Sequence, residues 1–386
     1  MDRRTFLKTM LFTPLIALFP NMLFALATRP DWKNLLVLVE LKGGNDGLNT
    51  IIPFRDPLYY QLRPQLAIRR DRVLKIDSNI GFHPSLQALL PAWKSNDLAI
   101  VQGVGYPDPN LSHFRSIEIW ETGSDSEDLE SEGWLSRLFS ENPTPKTYTA
   151  DGVVIGDQAL GPLSGGHARA LVLPGGQRRM RKTTMEDRHH QTRPNASLMH
   201  ILKVEGDYIQ ASEKMFQAPP LRTTFPGSGF GRTVERAAKV VASDNKVAVI
   251  KLSIGGFDTH AGQLNPHTRI LKDLGDGLAA LRKALIELGR WDSTLIMTYS
   301  EFGRRPKENM STGTDHGTAS VQLMLGGRVK GGLYGEYPNL GRLVNGNLRH
   351  TVDFRSMYAT VIDEWWGADA YDVFGQRFAK LPILRR

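Results

Sequence analysis

Short apolar runs alternate with longer segments of helical periodicity along most of this 386-residue chain. Continuous apolar runs predict buried strands, and they fall at 34–41, 98–103, 151–157, 169–173, 246–253, 293–300 and 321–326. Apolar residues at three- and four-residue steps predict helices at 84–95, 195–217, 231–243, 267–289 and 353–365. Strands that alternate with long helices indicate an α/β fold, a three-layer, doubly wound and mainly parallel sheet with helices on both faces.

Polar, glycine-rich segments follow three of the predicted strands, at 42–49, 254–262 and 300–306. In open α/β sheets, ligands bind outside the carboxyl ends of the strands. We therefore expect these three segments to converge at one edge of the sheet. Residues 158–230 are richer in Gly, Pro, Arg and polar side chains, and we expect them to form a cap or insertion in a single domain of residues 28–386.

The first 27 residues have the form of an export signal. Arg3 and Arg4 precede an apolar stretch, and Ala25 and Ala27 have the spacing of a signal-peptidase site. The paired arginines resemble a twin-arginine signal. We expect export by the twin-arginine translocase, cleavage near Ala27, and a periplasmic or extracellular mature protein with no stable membrane span. An uncleaved N-terminal anchor is the alternative, although two prolines interrupt an apolar run that is short for a span.

Composition limits the chemistry and the partners. The chain has no cysteine, so a metal must be bound by His, Asp, Glu, Ser or Asn. The net charge is +8, but the basic residues are scattered and do not alternate with aromatic ones. Nucleic acid is therefore not an expected partner, whereas an anionic small molecule or anionic cell-envelope material fits the charge balance.

Candidate site residues lie in the loops that follow the strands. Asp258 and His260 come directly after a buried strand, and carboxylate with imidazole is a ligand set for Zn, Mn or Fe. Asp46 follows the first strand and is either a metal ligand or an ordinary turn residue. Ser112 precedes a segment of helical spacing, where it is either an N-cap or a nucleophile at an anion-binding helix N-terminus.

Two further segments complete the set of candidates. Glu301 stands at the end of a strand with Arg304 close behind it. Asp315 and His316 lie in "STGTDHGTAS", a run of small residues without a large apolar side chain. A loop this small can approach a metal or an oxyanion closely.

The order of the motifs "GGNDGLN", "SHF…WETG", "GFDTH", "SEFGR", "TDHG" and "GGRVKGGLYG" resembles the family called domain of unknown function 1501. That family is similar to the alkaline phosphatase and sulfatase group of metallohydrolases. The resemblance implies an exported hydrolase of phosphate or sulfate esters that uses one or two divalent ions (Zn, Mn, Mg or Ca). Ser112 would be its nucleophile, and Arg304 or Arg115 would hold the anion. The metal ligands that the resemblance implies are Asp46, Asp258, His260, Glu301, Asp315 and His316.

Three positions depart from the pattern of the larger group. Phe302 stands where that group has a metal-binding histidine, Thr318 replaces a second histidine after "TDHG", and only one residue separates Asp258 from His260. We therefore expect any second metal site to be weak or empty. Two alternative functions stay open: a non-catalytic envelope protein that binds a ligand at a degenerate site, and a hydrolase of carbohydrate or lipid substrates.

The sequence makes one geometric prediction about the site. Asp46, Ser112, Asp258, His260 and His316 come from regions far apart in the chain. Because the loops that carry them are expected at one edge of the sheet, their side chains should meet in a single pocket there.

Export can be tested through the paired arginines. Replacing Arg3 and Arg4 with lysine should leave the precursor in the cytoplasm, because the twin-arginine pathway requires that pair. Fractionation of cells that express the wild type and the double variant measures this. Unchanged export of the lysine variant would show that the pathway is not the one we expect.

Overall fold

The structure is a computed structural model, and it describes residues 30–173, 215–243 and 245–385. The expected export signal lies outside these residues, as does most of the helix predicted at 195–217. The expected cap at 158–230 is described only at its two ends, so its boundaries stay a prediction. Within the described ranges, no helix is both long and apolar enough to cross a membrane.

The described residues form two β-sheets. The strands are β1 Leu35–Lys42, β2 Ile51–Ile52, β3 Leu74–Lys75, β4 Gly81–Phe82, β5 Leu98–Gly105, β6 Gly152–Ile155, β7 Ala170–Leu173, β8 Val249–Gly255, β9 Thr294–Tyr299, β10 Ser320–Leu325, β11 Gly332–Tyr334 and β12 Val352–Asp353. The large sheet has the order β11-β5-β10-β9-β1-β8-β6-β7, with β12 paired to β5, and β2, β4 and β3 form a small separate sheet.

The helices connect these strands. The α-helices are α1 Gly47–Thr50, α2 Pro57–Leu62, α3 Leu90–Lys94, α4 His113–Thr122, α5 Trp134–Glu141, α6 Gly229–Ala242, α7 Leu264–Glu287, α8 Phe354–Thr360 and α9 Ala370–Phe374. Among the described residues, short 3₁₀ helices lie at Pro84–Leu89, Gly161–Leu163 and Trp291–Ser293, and a π-helix at Val361–Trp366 continues α8. The single helix predicted at 84–95 is therefore wrong in detail, since Leu86 leaves helical geometry and Pro91 has no N–H to donate.

The central strand shows why the fold has three layers. Leu35, Val37, Val39 and Leu41 of β1 belong to one apolar core, whereas Leu36 and Leu38 belong to the core on the opposite face. The first core includes α6 and α7, and the second includes α4, α5 and α8. A strand covered on both faces is expected to be apolar throughout, as its sequence is. The prediction of a three-layer α/β fold is confirmed.

Strand direction places five loops at one edge of the large sheet. β9, β1 and β8 are adjacent and parallel, so the segments after them lie side by side. β10 runs antiparallel to both β9 and β5. The loop that enters β10 and the loop that leaves β5 therefore lie at this same edge. The expected convergence of the polar segments is confirmed, and it is a direct result of the topology.

Two buried histidines lie beneath this edge. His83 and His267 are 3% and 2% exposed, and their ring centroids are 6.3 Å apart. His83 accepts a hydrogen bond from the amide of Ser85, and the ring of His267 contacts Asn45 at 3.3 Å. Burial lowers the pKa of each histidine from 6.5 to about 4. Both rings are therefore neutral in the folded protein at neutral pH.

These lowered pKa values predict acid sensitivity. Below pH 6.5 the unfolded chain binds protons at these histidines, and the folded chain does not until the pH nears 4. The free energy of unfolding should therefore fall as the pH drops from 6.5 to 4, by up to about 3 kcal/mol for each histidine. Urea unfolding of the wild type and of His83→Asn/His267→Gln across this range measures the effect. An equally steep decline in the double variant would show that other groups cause it.

Candidate functional site

Four side chains from three of the converging loops form a compact group, which we call the histidine–aspartate cluster: His113, Asp258, His260 and His316. The Nε2 atoms of His260 and His316 are 3.0 Å apart, and both face Oδ1 of Asp258, at 3.0 Å and 3.4 Å. Nε2 of His113 lies 3.4 Å from Oδ2 of Asp258. Ligand atoms of His113, Asp258 and His316 all lie within 4.8 Å of one another.

An oxygen atom faces the other ring nitrogen of each histidine. Nδ1 of His113 contacts the carboxylate of Glu301 at 2.9 Å, and Nδ1 of His316 contacts the backbone carbonyl of Leu111 at 2.8 Å. Nδ1 of His260 lies 3.5 Å from Asp315. Ionised carboxylates and carbonyls only accept hydrogen bonds, so Nδ1 can donate in each pair, which would leave Nε2 of a neutral ring with a lone pair for a metal.

The cluster has the donor set and charge that suit a divalent cation. Three Nε2 atoms and the carboxylate of Asp258 face one another, and a divalent cation among them would interact favourably with all four. Burial opposes ionisation of Asp258, but the hydrogen bond and charge of Arg304 outweigh it, and the pKa is lowered to about 2. Asp258 is therefore ionised at any physiological pH. Imidazole and carboxylate ligands with oriented outer contacts are typical of zinc and related metals.

Glycines bring the small-residue loop at 311–320 against the other loops. A Cβ on Gly313 would lie 2.2 Å from the backbone carbonyl carbon of His260, and one on Gly317 would lie 2.4 Å from that of Arg304. Only residues without a side chain fit at such distances. The loop can therefore place His316 beside the residues that follow β8 and β9.

Phe302 occupies space beside the cluster. Its ring centroid lies 4.9 Å from that of His113 and 4.5 Å from that of His316, and the residue is 2% exposed. Gly44 makes room for this ring, since a Cβ there would lie 2.4 Å from it. An apolar ring therefore packs at the position where, by the family resemblance, the larger group has a metal-binding histidine.

Asp46 does not join the cluster, contrary to expectation. It is 1% exposed, and its Oδ2 accepts hydrogen bonds from Arg63, at 2.7 Å, and from Gln263. Its Oδ1 faces the amide of Asn49 at the start of α1. Burial opposes ionisation, but Arg63 outweighs it and the pKa of Asp46 is lowered. With its oxygens already in contact with these donors, Asp46 has the contacts of a structural residue and not those of a metal ligand.

Arg304 also has a different place from the one expected of an anion-binding group. Its side chain is fully buried, and it donates to the carbonyls of Gly43, Gly44, Phe257 and Thr314 and, at 2.5 Å, to Asp258. These acceptors use its donors, so the expectation that Arg304 holds a substrate anion is not met. Arg115 likewise donates to backbone carbonyls of the 125–128 loop and pairs with Glu118.

The remaining candidates lie around the cluster. Glu301 is 4% exposed and orients His113 while it accepts from the amide of Gly43 at 2.8 Å. Asp315 accepts from Asn309 at 3.0 Å and lies next to His260. Ser112 is the exposed N-cap of α4, and its side chain makes no capping hydrogen bond. Its neighbour His113 belongs to the cluster and its neighbour Leu111 contacts His316, so Ser112 is adjacent to the cluster in the chain.

Sequence reasoning missed two residues. His113 stands next to Ser112 in "LSHF", and its position at the start of a helix after a strand was a usable signal. Arg63 lies at the end of α2. It forms an ion pair with Asp46 that no local sequence pattern indicates.

The residues of the cluster lie in a part of the chain that matches a known sequence family. The chain belongs to the family described as "Protein of unknown function (DUF1501)", which it matches over residues 33–376. No curated protein matches it significantly.

Several solved structures are similar at low sequence identity. A protein in the alkaline phosphatase superfamily from Vibrio parahaemolyticus is 9% identical, with a TM-score of 0.39, and the match covers 87% of this chain and 67% of that one. The C-terminal periplasmic domain of EcEptC from Escherichia coli, in complex with Zn, is 8% identical, with a TM-score of 0.38 and coverage of 76% and 73%. Phosphonate monoester hydrolase of Agrobacterium radiobacter is 10% identical, with a TM-score of 0.39 and coverage of 89% and 78%. Similarity at this level says nothing about activity.

The contacts of Arg304 predict that it stabilises the fold. Arg304→Met should lower the free energy of unfolding by at least about 3 kcal/mol, because four carbonyls and Asp258 lose a buried donor. Urea unfolding measures this loss. Arg69→Met is the control, since Arg69 is 79% exposed in its ion pair and should change stability by less than about 1 kcal/mol. Similar losses in the two variants would contradict the role given to Arg304.

Proposed function

We propose that this protein is an exported, metal-dependent hydrolase of phosphate or sulfate esters. The observation that carries the proposal is the convergence of three histidine Nε2 atoms on the carboxylate of Asp258. The family resemblance and the position of the cluster at the carboxyl edge of the sheet support it. The signal-like first 27 residues support export to the periplasm or beyond through the twin-arginine translocase.

His113, Asp258, His260 and His316 would hold one divalent cation. A set of three imidazoles and one carboxylate favours zinc or manganese over magnesium or calcium, which prefer oxygen ligands. Such a cation supplies positive charge that offsets the charge of an ester's phosphate or sulfate oxygens. The three imidazole rings are held in place by contacts between their Nδ1 atoms and oxygen atoms of Glu301, Asp315 and Leu111. A single ion accounts for the geometry, because Asp46 and Phe302 provide no ligands for a second.

Ser112 is the nucleophile in this proposal. Its hydroxyl is exposed and has no capping role, and the amide groups of the first turn of α4 favour a bound anion. The Ser112 oxygen forms a bond to phosphorus or sulfur as the bond to the leaving alcohol breaks. The serine proton ends on the released alcohol. Water then hydrolyses the serine ester and returns the hydroxyl.

A second function is favoured by one observation. The ring of Phe302 packs against His113 and His316, where it offers no ligand atom. A protein that binds an anionic ligand in the cell envelope and does not hydrolyse it would tolerate this ring. Metal content and turnover together distinguish the two functions.

Two substitutions separate metal binding from catalysis. His260→Ala should lower the bound metal, because it removes one of three imidazoles. Ser112→Ala should keep the metal and abolish hydrolysis, because it removes only the nucleophile. Elemental analysis of the purified protein and a screen of phosphate and sulfate monoesters measure the two effects.

Matched controls are available in the same chain. His167→Ala changes a histidine that is outside the cluster and 54% exposed, and Ser131→Ala changes an exposed loop serine, so both should behave as wild type. If metal-replete protein binds no divalent ion, or if Ser112→Ala hydrolyses esters as well as wild type, the hydrolase proposal fails. Bound metal without any turnover would favour the ligand-binding function.

A further inference from the structure

A separate cavity lies beside the cluster, between the main sheet and the loop at 336–351. Its volume is about 330 Å³. None of the four cluster residues lines it. The inner wall is mostly apolar, formed by Leu48, Ile51, Val321, Leu343 and Leu348. A cavity of this size is at the lower end of the range for small-molecule sites.

Two guanidinium groups line the same cavity. Arg342 and Arg349 are both exposed, and neither has an ion pair or side-chain hydrogen bond with another residue that the structure describes. Glu336 is the one acidic residue among those that line the cavity. Arg304 also lines it, but each of its three nitrogens already donates to an acceptor within the protein. The cavity therefore combines apolar walls with two free positive charges, which favour an anion that can accept paired hydrogen bonds, such as a carboxylate or phosphate.

The cavity is built into the fold and does not depend on a single exposed side chain. The hydroxyl of Thr318 donates to the backbone carbonyl of Leu348, and this bond fixes the 336–351 loop to the segment that carries His316. Tyr337 and Val344 lie at the outer wall and are only partly covered, at 37% and 55% exposure. A ligand could therefore enter from solvent without passing the histidine–aspartate cluster.

We propose that this cavity binds a small organic anion, with its charged group on Arg342 and Arg349 and its apolar body against the inner wall. The volume accommodates roughly ten non-hydrogen atoms, if each takes about the 30 Å³ of a water molecule. A phosphonate, phosphate or carboxylate on an aromatic or short aliphatic group fits this description. This proposal does not rest on hydrolysis at Ser112, and the two can be tested separately.

Three probes test the two halves of this chemistry by titration calorimetry. Phenylphosphonate has both the anion and the apolar ring, inorganic phosphate has only the anion, and benzyl alcohol has only the ring. We expect phenylphosphonate to bind at least tenfold more tightly than either of the others. Equal affinity for inorganic phosphate, or no binding of phenylphosphonate at millimolar concentration, would overturn the proposal.

Variants locate the binding. Arg342→Gln/Arg349→Gln should weaken phenylphosphonate binding at least tenfold. Arg342→Lys/Arg349→Lys retains both positive charges and should therefore retain much of the affinity for phenylphosphonate. Arg269→Gln is the matched control, an exposed arginine on α7 with no ion pair among the described residues, and it should change nothing. His260→Ala should also leave binding intact. If His260→Ala abolishes it, the probe binds at the cluster and the cavity site is refuted, whatever the arginine variants do.

Discussion

The buried guanidinium of Arg304 connects the parts on which the candidate site depends. It bonds to carbonyls after β1, after β8 and in the loop before β10, and to the carboxylate of Asp258. Loops at a sheet edge have few backbone partners of their own, because the hydrogen bonds of the strands end there. One planar group with five donors satisfies several of these carbonyls at once and holds an ionised aspartate among three histidines. The cluster is therefore organised from beneath by a buried residue whose three guanidinium nitrogens all donate to acceptors within the protein.

Much of the fold was predictable because its signals are local. β1 is apolar at every position from Leu35 to Leu41 except Glu40, and a strand covered on both faces needs such a run. The spacing of Leu271, Leu274, Leu278, Leu281 and Leu285 likewise predicts the buried face of α7. The short strands β2, β3 and β4 have two residues each, and no periodicity exists over so short a length. The break between the 3₁₀ helix at Pro84–Leu89 and α3 depends on backbone geometry that apolar spacing does not encode.

The site was predictable in location and only partly in membership. Asp258, His260 and His316 could be identified because each lies in a glycine-flanked loop at a strand end. The sequence could not show which carboxylates face the cluster. Asp46 has the right position after β1, but Arg63, seventeen residues later, takes its Oδ2 in a buried ion pair. His113 occupies a position that sequence reasoning gave to no ligand. Which side chains meet in this way depends on how α2 and α4 pack against the loops, and that packing is a property of the tertiary structure.

The two departures from the expected ligand set point to the same region. Asp46 was expected to bind a metal, whereas Phe302 was expected to replace a histidine ligand of the larger group. In the structure Asp46 is bound by Arg63 and Gln263, and Phe302 is a buried aromatic ring. Gly44 packs against the ring of Phe302, because a Cβ there would collide with that ring and approach Arg304 at 3.3 Å. Asp46 is thus engaged by an arginine, and Phe302 has no ligand atom to offer to a second ion. What is left is one centre with three imidazoles from separate loops, each ring oriented through its own Nδ1 contact. That arrangement would offer a single cation three imidazole nitrogens and the carboxylate of Asp258 without any contribution from Asp46.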